Sequence, residues 1–132
     1  MNIAIVGATG NVGRKTLEVL EKKELFIDNL YLVASSKSAG KKISFKDKEH
    51  EGFDLENFDF SKVKIAFFAA GGKISEKFAE KAAKHCLVID NSSFYRMDPD
   101  VPLIVPQVLQ VMEAQCHLHC HIFLSAKMNS LY

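Results

Sequence analysis

Four short runs of this chain are apolar almost throughout, with no strict alternation: Asn2–Val6, Leu30–Ala34, Ile65–Ala70 and Leu87–Ile89. A strand with one wet face alternates, whereas a strand covered on both faces reads as a continuous apolar run. Between the first two runs, Val12–Lys23 carries Val12, Leu17, Val19 and Leu20 as apolar positions, with Arg14, Lys15, Glu18 and Glu21 left for water, the pattern of an amphipathic helix. Ile74–Lys84 repeats the theme, with Ile74, Phe78 and Ala82 four residues apart. Lys42–Phe45 and the acidic, aromatic-dotted stretch to Phe60 read as short edge strands and a loop. Strands and helices in alternation predict an α/β fold, a Rossmann-type parallel sheet with helices on both faces. The first strand–helix–strand unit takes about thirty residues, the span a right-handed crossover needs.

In such a sheet ligands bind beyond the carboxyl ends of the strands, so the strand ends hold the candidate chemistry. The first is Gly7-Ala8-Thr9-Gly10-Asn11-Val12-Gly13, between a strand and a helix. Glycines permit a tight turn and close approach, and free N–H groups at a helix start attract a pyrophosphate. The spacing is G-x-x-G-x-x-G rather than G-x-G-x-x-G, and tight strand-to-helix turns also use glycine without a ligand. The candidate cofactor residues here are Gly7, Thr9, Gly10, Asn11, Val12 and Gly13. The second strand end carries Ser35, Ser36, Lys37, Ser38 and Lys41 where an NAD site usually has Asp or Glu. Hydroxyl and ammonium groups donate to a 2′-phosphate that a carboxylate would repel, so Ser36, Lys37 and Ser38 point to NADP. A solvated serine-rich turn is the plain alternative. The third end is Gly71-Gly72.

Composition narrows the class further. The 132 residues, 48% apolar and 25% charged, suit one domain with a real core. Net charge is +1, with no arginine–aromatic patch, which points away from nucleic acid. No apolar stretch is long enough to span a bilayer, and no signal peptide precedes the first strand. Three cysteines without such a leader fit free thiols in the cytoplasm.

Four blocks in order, Gly7–Gly13, Ser35–Lys41, Phe67-Phe68-Ala69-Ala70-Gly71-Gly72, and Val88-Ile89-Asp90-Asn91-Ser92-Ser93-Phe94-Tyr95-Arg96 onward to Leu103, resemble aspartate-semialdehyde dehydrogenases. The resemblance covers the amino-terminal NADP-binding domain of that family, from Met1 to about Pro106. It implies reductive dephosphorylation of aspartyl phosphate with NADPH, through attack by a cysteine thiolate and reduction of the resulting thioester. It also implies Thr9, Gly10, Asn11 and Val12 at the pyrophosphate, Lys37 and Ser38 at the 2′-phosphate, and Gly71 and Gly72 beside the cofactor. Arg96 would bind the phosphate of the substrate or the phosphate product. Read from the residues alone, Arg96 is either such a phosphate fork or a surface arginine holding Asp98 or Asp100. Family members commonly have arginine where Lys37 stands, and lysine lacks the planar fork.

After Pro106 the resemblance stops: the chain reads Val105-Pro106-Gln107-Val108-Leu109, and no Asn-Cys-Ser-Thr, the family's nucleophile block, occurs. Residues 1–106 read as the NADP-binding domain and residues 107–132 as a divergent tail. The family's catalytic and dimer-forming second domain, with most of its dimer interface, has no counterpart, so the chain is expected to bind cofactor but not to turn over alone. A non-catalytic nucleotide-binding module or a frameshifted remnant is the other reading. Cys116-His117-Leu118-His119-Cys120-His121 is dense in metal-binding side chains, but its spacing matches no zinc site, and no metal or catalytic residue is assigned. Cys86 reads as a small buried hydrophobe and His85 as a helix-end residue facing water.

Overall fold

The computed structural model describes residues 1–23, 25–46, 48–104 and the strand at 123–126. Eight strands form one sheet in the order β3-β4-β2-β1-β5-β6-β8-β7. They are β1 (Asn2–Val6), β2 (Asn29–Ala34), β3 (Lys42–Phe45), β4 (Lys48–Asp54), β5 (Ile65–Phe68), β6 (Leu87–Asp90), β7 (Leu103–Ile104) and β8 (Phe123–Ala126). Every pairing is parallel except that of β3 with β4. Helix α1 (Asn11–Lys22) links β1 to β2 on one side, and α2 (Gly72–Ala83) links β5 to β6 on the other. These crossovers run in opposite directions from the centre, so right-handedness sends the two helices to opposite faces. The core follows that division. Ile3, Ile5, Leu30 and Leu32 pack with Leu17 and Leu20 of α1, while Val6, Phe68 and Val88 pack with Phe78, Ala79 and Ala82 of α2.

The elements expected from hydrophobic pattern are present, with informative differences. Val19 is 48% exposed, although it reads as part of the apolar face of α1; only Gly13, Leu17 and Leu20 of that helix are buried. Helix α2 starts at Gly72 rather than Ile74, because the amides of Ile74 and Ser75 bond the Gly71 carbonyl at 3.1 and 3.2 Å. No helix joins β2 to β4. An antiparallel hairpin stands there instead, and β4 is an inner strand whose last three residues, Gly52, Phe53 and Asp54, pair with β2. Two single-turn 3-10 helices follow, capped by the carboxylates of Asp54 and Asp59, and they deliver Leu55, Phe58 and Phe60 to the α2 side of the core. Strand β8 joins the sheet beside β6, within the stretch that reads as a divergent tail.

The α1 face is filled less completely. On β5 and β6 the alternate residues Ile65, Phe67, Leu87 and Ile89 are only half-buried. Val12, Val19, Leu20, Leu25, Phe67 and Ile89 line a groove of about 350 Å³ on that face.

Candidate functional site

The sheet changes direction at β1, which feeds β2 on one side and neighbours β5 on the other. The carboxyl end of a strand at such a switch point is where an open α/β sheet leaves a crevice. Here it carries the loop Gly7–Gly13. The Gly7 amide bonds the Val33 carbonyl at 2.8 Å, tying the loop to the end of β2. Gly7 has φ of 88°, and a Cβ there would meet Ala69 and Ala70 at the end of β5 within 2.9 Å. Only glycine fits both the conformation and the space.

Helix α1 begins directly behind. Its cap is Gly10, with no side-chain cap and no acidic residue in the first turn. The Gly10 carbonyl takes the Arg14 amide at 2.9 Å, and the amides of Asn11, Val12 and Gly13 have no acceptor among the described residues. A helix start left open in this way presents N–H donors and a partial positive charge. Beside it a groove of about 330 Å³ runs between strand ends, lined among others by Gly7, Thr9, Gly10, Ser35, Leu55 and Ile74. Close backbone approach and free donors fit a pyrophosphate.

The second loop turns on the Ser35 carbonyl, which accepts from the amides of Ser38 and Ala39 at 2.8 and 2.9 Å. Ser36 and Lys37 are exposed, and Lys37 has no ion-pair partner among the described residues. Glu51 Oε1 stands 4.0 Å from the position a Cβ on Gly40 would take, and Asp54 is in register with Ala34. The Asp54 oxygens are engaged locally, accepting from the Glu56 amide at 3.4 Å and from Asn57 Nδ2 at 2.9 Å. Residues 34–41 thus include no carboxylate of their own, and these two come from β4.

Gly71, with φ of 88°, caps α2 without a side-chain bond, and a Cβ at Gly72 would stand 3.6 Å from the Phe94 Cβ. The turn at Gly71-Gly72 therefore touches the turn that carries Arg96. Arg96 donates from Nη2 to the Asn91 carbonyl at 3.2 Å, and its Nε is buried with no hydrogen-bond partner. Among the described residues it makes no ion pair with Asp98 or Asp100, the surface role open to it from sequence.

Not every candidate lines the same groove. Val12 faces the apolar groove beside α1, where Asn91 also appears, and Arg96 lines neither groove. Sequence reasoning missed Leu55 and Ile74, which border the cofactor-sized groove, because nothing local distinguishes them from core. Cys86 is buried, with Sγ 3.3 Å from the Ala82 carbonyl, and burial pushes its thiol up to about 11. His85 is exposed, as expected. No cluster of three metal-binding side chains occurs among the described residues, and the Cys116–His121 run lies outside them. No described helix is long and apolar enough to cross a membrane.

A glycine turn and an open helix start at the switch point of a parallel sheet define a dinucleotide-binding α/β domain. Comparison with known proteins makes the assignment specific. The chain belongs to the semialdehyde dehydrogenase family, matching its NAD-binding domain over residues 2–115. It is 51% identical over 107 residues to an aspartate-semialdehyde dehydrogenase of Legionella pneumophila, covering 80% of this chain and 31% of that protein. The corresponding enzyme of Aquifex aeolicus is 52% identical over 109 residues, with 80% and 32% covered. Among solved structures, aspartate semialdehyde dehydrogenase II of Vibrio cholerae, complexed with ASA, superposes with a TM-score of 0.85 at 43% identity. That match covers 97% of this chain and 41% of the other. The chain thus spans about a third of the length of the curated relatives it matches.

Proposed function

We propose that this chain is the NADP-binding part of an aspartate-semialdehyde dehydrogenase and that it holds cofactor without turning over alone. The observation that carries the reading is the open helix start behind Gly7–Gly13, facing a groove bounded by the ends of β1, β2 and β5. The Thr9, Gly10, Asn11, Val12 and Gly13 segment would hold the pyrophosphate on its free amides. Ser36, Lys37 and Ser38 would bind a 2′-phosphate, since their loop offers hydroxyls and an ammonium with no ion-pair partner among the described residues. Gly71 and Gly72 would border the far end of the cofactor. In a complete enzyme, a nicotinamide cofactor held there would supply the hydride for reduction of the acyl group.

Arg96 is the residue we assign to the phosphate of aspartyl phosphate or to the phosphate product. Among its described hydrogen bonds the guanidinium spends only Nη2, on the Asn91 carbonyl, and its planar fork suits a bidentate anion contact. The described residues supply no nucleophile: Cys86 is their one cysteine, buried and held as the neutral thiol. We place the domain boundary near residue 106, and the protein in the cytoplasm with its relatives' biosynthetic role.

Calorimetric titration of the purified chain with NADPH and NADH tests this. Saturable binding is expected, tighter for NADPH by about tenfold, equivalent to ~1.4 kcal/mol. Absence of binding by either cofactor, or NADP reduction in the presence of semialdehyde and phosphate, contradicts the reading.

A further inference from the structure

Asp90 ends β6 and is wholly buried, yet no cation lies against it among the described ion pairs. Three donors converge on it instead. Its Oδ1 accepts from Ser75 Oγ at 2.9 Å and from the Ser92 amide at 2.8 Å, and its Oδ2 accepts from Ser92 Oγ at 2.7 Å. Burying a polar acceptor is costly unless it is fully bonded, and a carboxylate, being acceptor-only, suits three donors at once. An apolar residue would close the strand more cheaply if packing were the only need.

The carboxylate joins two turns. Ser75, buried in the first turn of α2, has its amide on the Gly71 carbonyl at 3.2 Å, so one arm reaches the Gly71-Gly72 turn. Ser92 begins the other arm. Its Oγ accepts from the Phe94 amide at 3.2 Å, the Arg96 amide reaches the Ser93 carbonyl at 3.4 Å, and Arg96 Nη2 rests on the Asn91 carbonyl. The guanidinium is therefore anchored to a turn that Asp90 shapes through Ser92.

We propose that Asp90 is a positioning residue that fixes the Arg96 guanidinium for a phosphate group, acting through Ser92. This rests on the reading of Arg96 as the phosphate-binding residue. The geometry separates the two arms: loss of the Ser92 arm disorders the aim of Arg96, whereas loss of the Ser75 arm loosens α2 and leaves the Arg96 turn bonded.

The test uses the full chain, saturated with NADP so that the glycine loop is occupied, and inorganic phosphate as the probe, followed by 31P NMR titration. Wild type binds phosphate and Arg96→Ala does not. Ser92→Ala weakens phosphate by about tenfold, the scale of one charge-assisted hydrogen bond, with NADPH affinity unchanged within about twofold, and Asp90→Asn weakens phosphate at least as much. Ser75→Ala lowers the melting temperature but leaves phosphate affinity within about twofold. Should Asp90→Asn fail to fold, Ser92→Ala alone decides. Unchanged phosphate affinity in Ser92→Ala, or an equal loss in Ser75→Ala, overturns the positioning role while Arg96 keeps its own. If wild type binds no phosphate, the Arg96 reading fails and the positioning role fails with it.

Discussion

Gly13 lies directly beneath Gly7: a Cβ at Gly13 would stand 2.2 Å from the Gly7 carbonyl oxygen and 2.8 Å from the Ala8 Cα. Both neighbours are backbone, so neither can swing aside. The contact seats the first turn of α1 against the loop. Gly13→Ala is expected to cost about 1–3 kcal/mol, as overpacking does, and to weaken NADPH binding with it. Gly10→Ala meets only one atom, at 3.3 Å, and should cost less than about 1 kcal/mol. Thermal melts of the two variants check the order; equal losses would contradict it.

The proposed preference for NADP rests on one loop. Lys37→Glu places a carboxylate where the account puts the 2′-phosphate, so NADPH affinity should fall by about tenfold or more while NADH affinity holds. Lys37→Arg should raise NADPH affinity, since a guanidinium offers a bidentate fork. Parallel fluorescence titrations with both cofactors would read this, and equal changes for the two would place the 2′-phosphate elsewhere.

Two residues of α1 test the packing. Leu17 is 5% exposed and Val19 is 48% exposed, although the hydrophobic pattern treats them alike. Leu17→Ala should cost about 2–4 kcal/mol and Val19→Ala less than about 0.5 kcal/mol. Denaturant unfolding of both variants measures the difference.

That contrast marks where the sequence is legible. The runs at Asn2–Val6 and Leu87–Ile89 are strands because residues apolar on both faces have no wet side to turn outward. The glycine loop was equally readable, since its position between strand and helix carries the meaning. The role of β4 was not: Lys48, Glu49 and Glu51 make its first half look like an edge, and only its last three residues reach β2. Val19 looks like core because helical spacing shows which side a residue faces, not how far the neighbouring sheet extends beneath it. The Asp90 network escaped for a related reason. Ser75, Asp90 and Ser92 are ordinary polar residues in sequence, and only the fold brings α2 against the end of β6.

Cys86 gives a pH signature. Burial raises its thiol from 9.0 to about 11, so between these values the unfolded chain releases a proton that the folded chain keeps. The stability contribution is whole below pH 9 and is lost as pH rises toward 11. Denaturant melts should show stability falling over that window, with a shallower fall in Cys86→Ala. Peptide-resolved mass spectrometry should also find Cys86 slow to alkylate in the folded chain. Fast alkylation at neutral pH would contradict its burial.

We assign NADP binding to the Gly7–Gly13 loop together with the serine–lysine loop after β2. Amide chemical-shift mapping by NMR during an NADPH titration tests it most directly. The largest shifts are expected at the amides of Thr9, Gly10, Asn11, Val12 and Gly13, with a second group at Ser36, Lys37 and Ser38 that NADH fails to move. Shifts confined to the groove around Val19 and Leu25, or none at saturating NADPH, would contradict it.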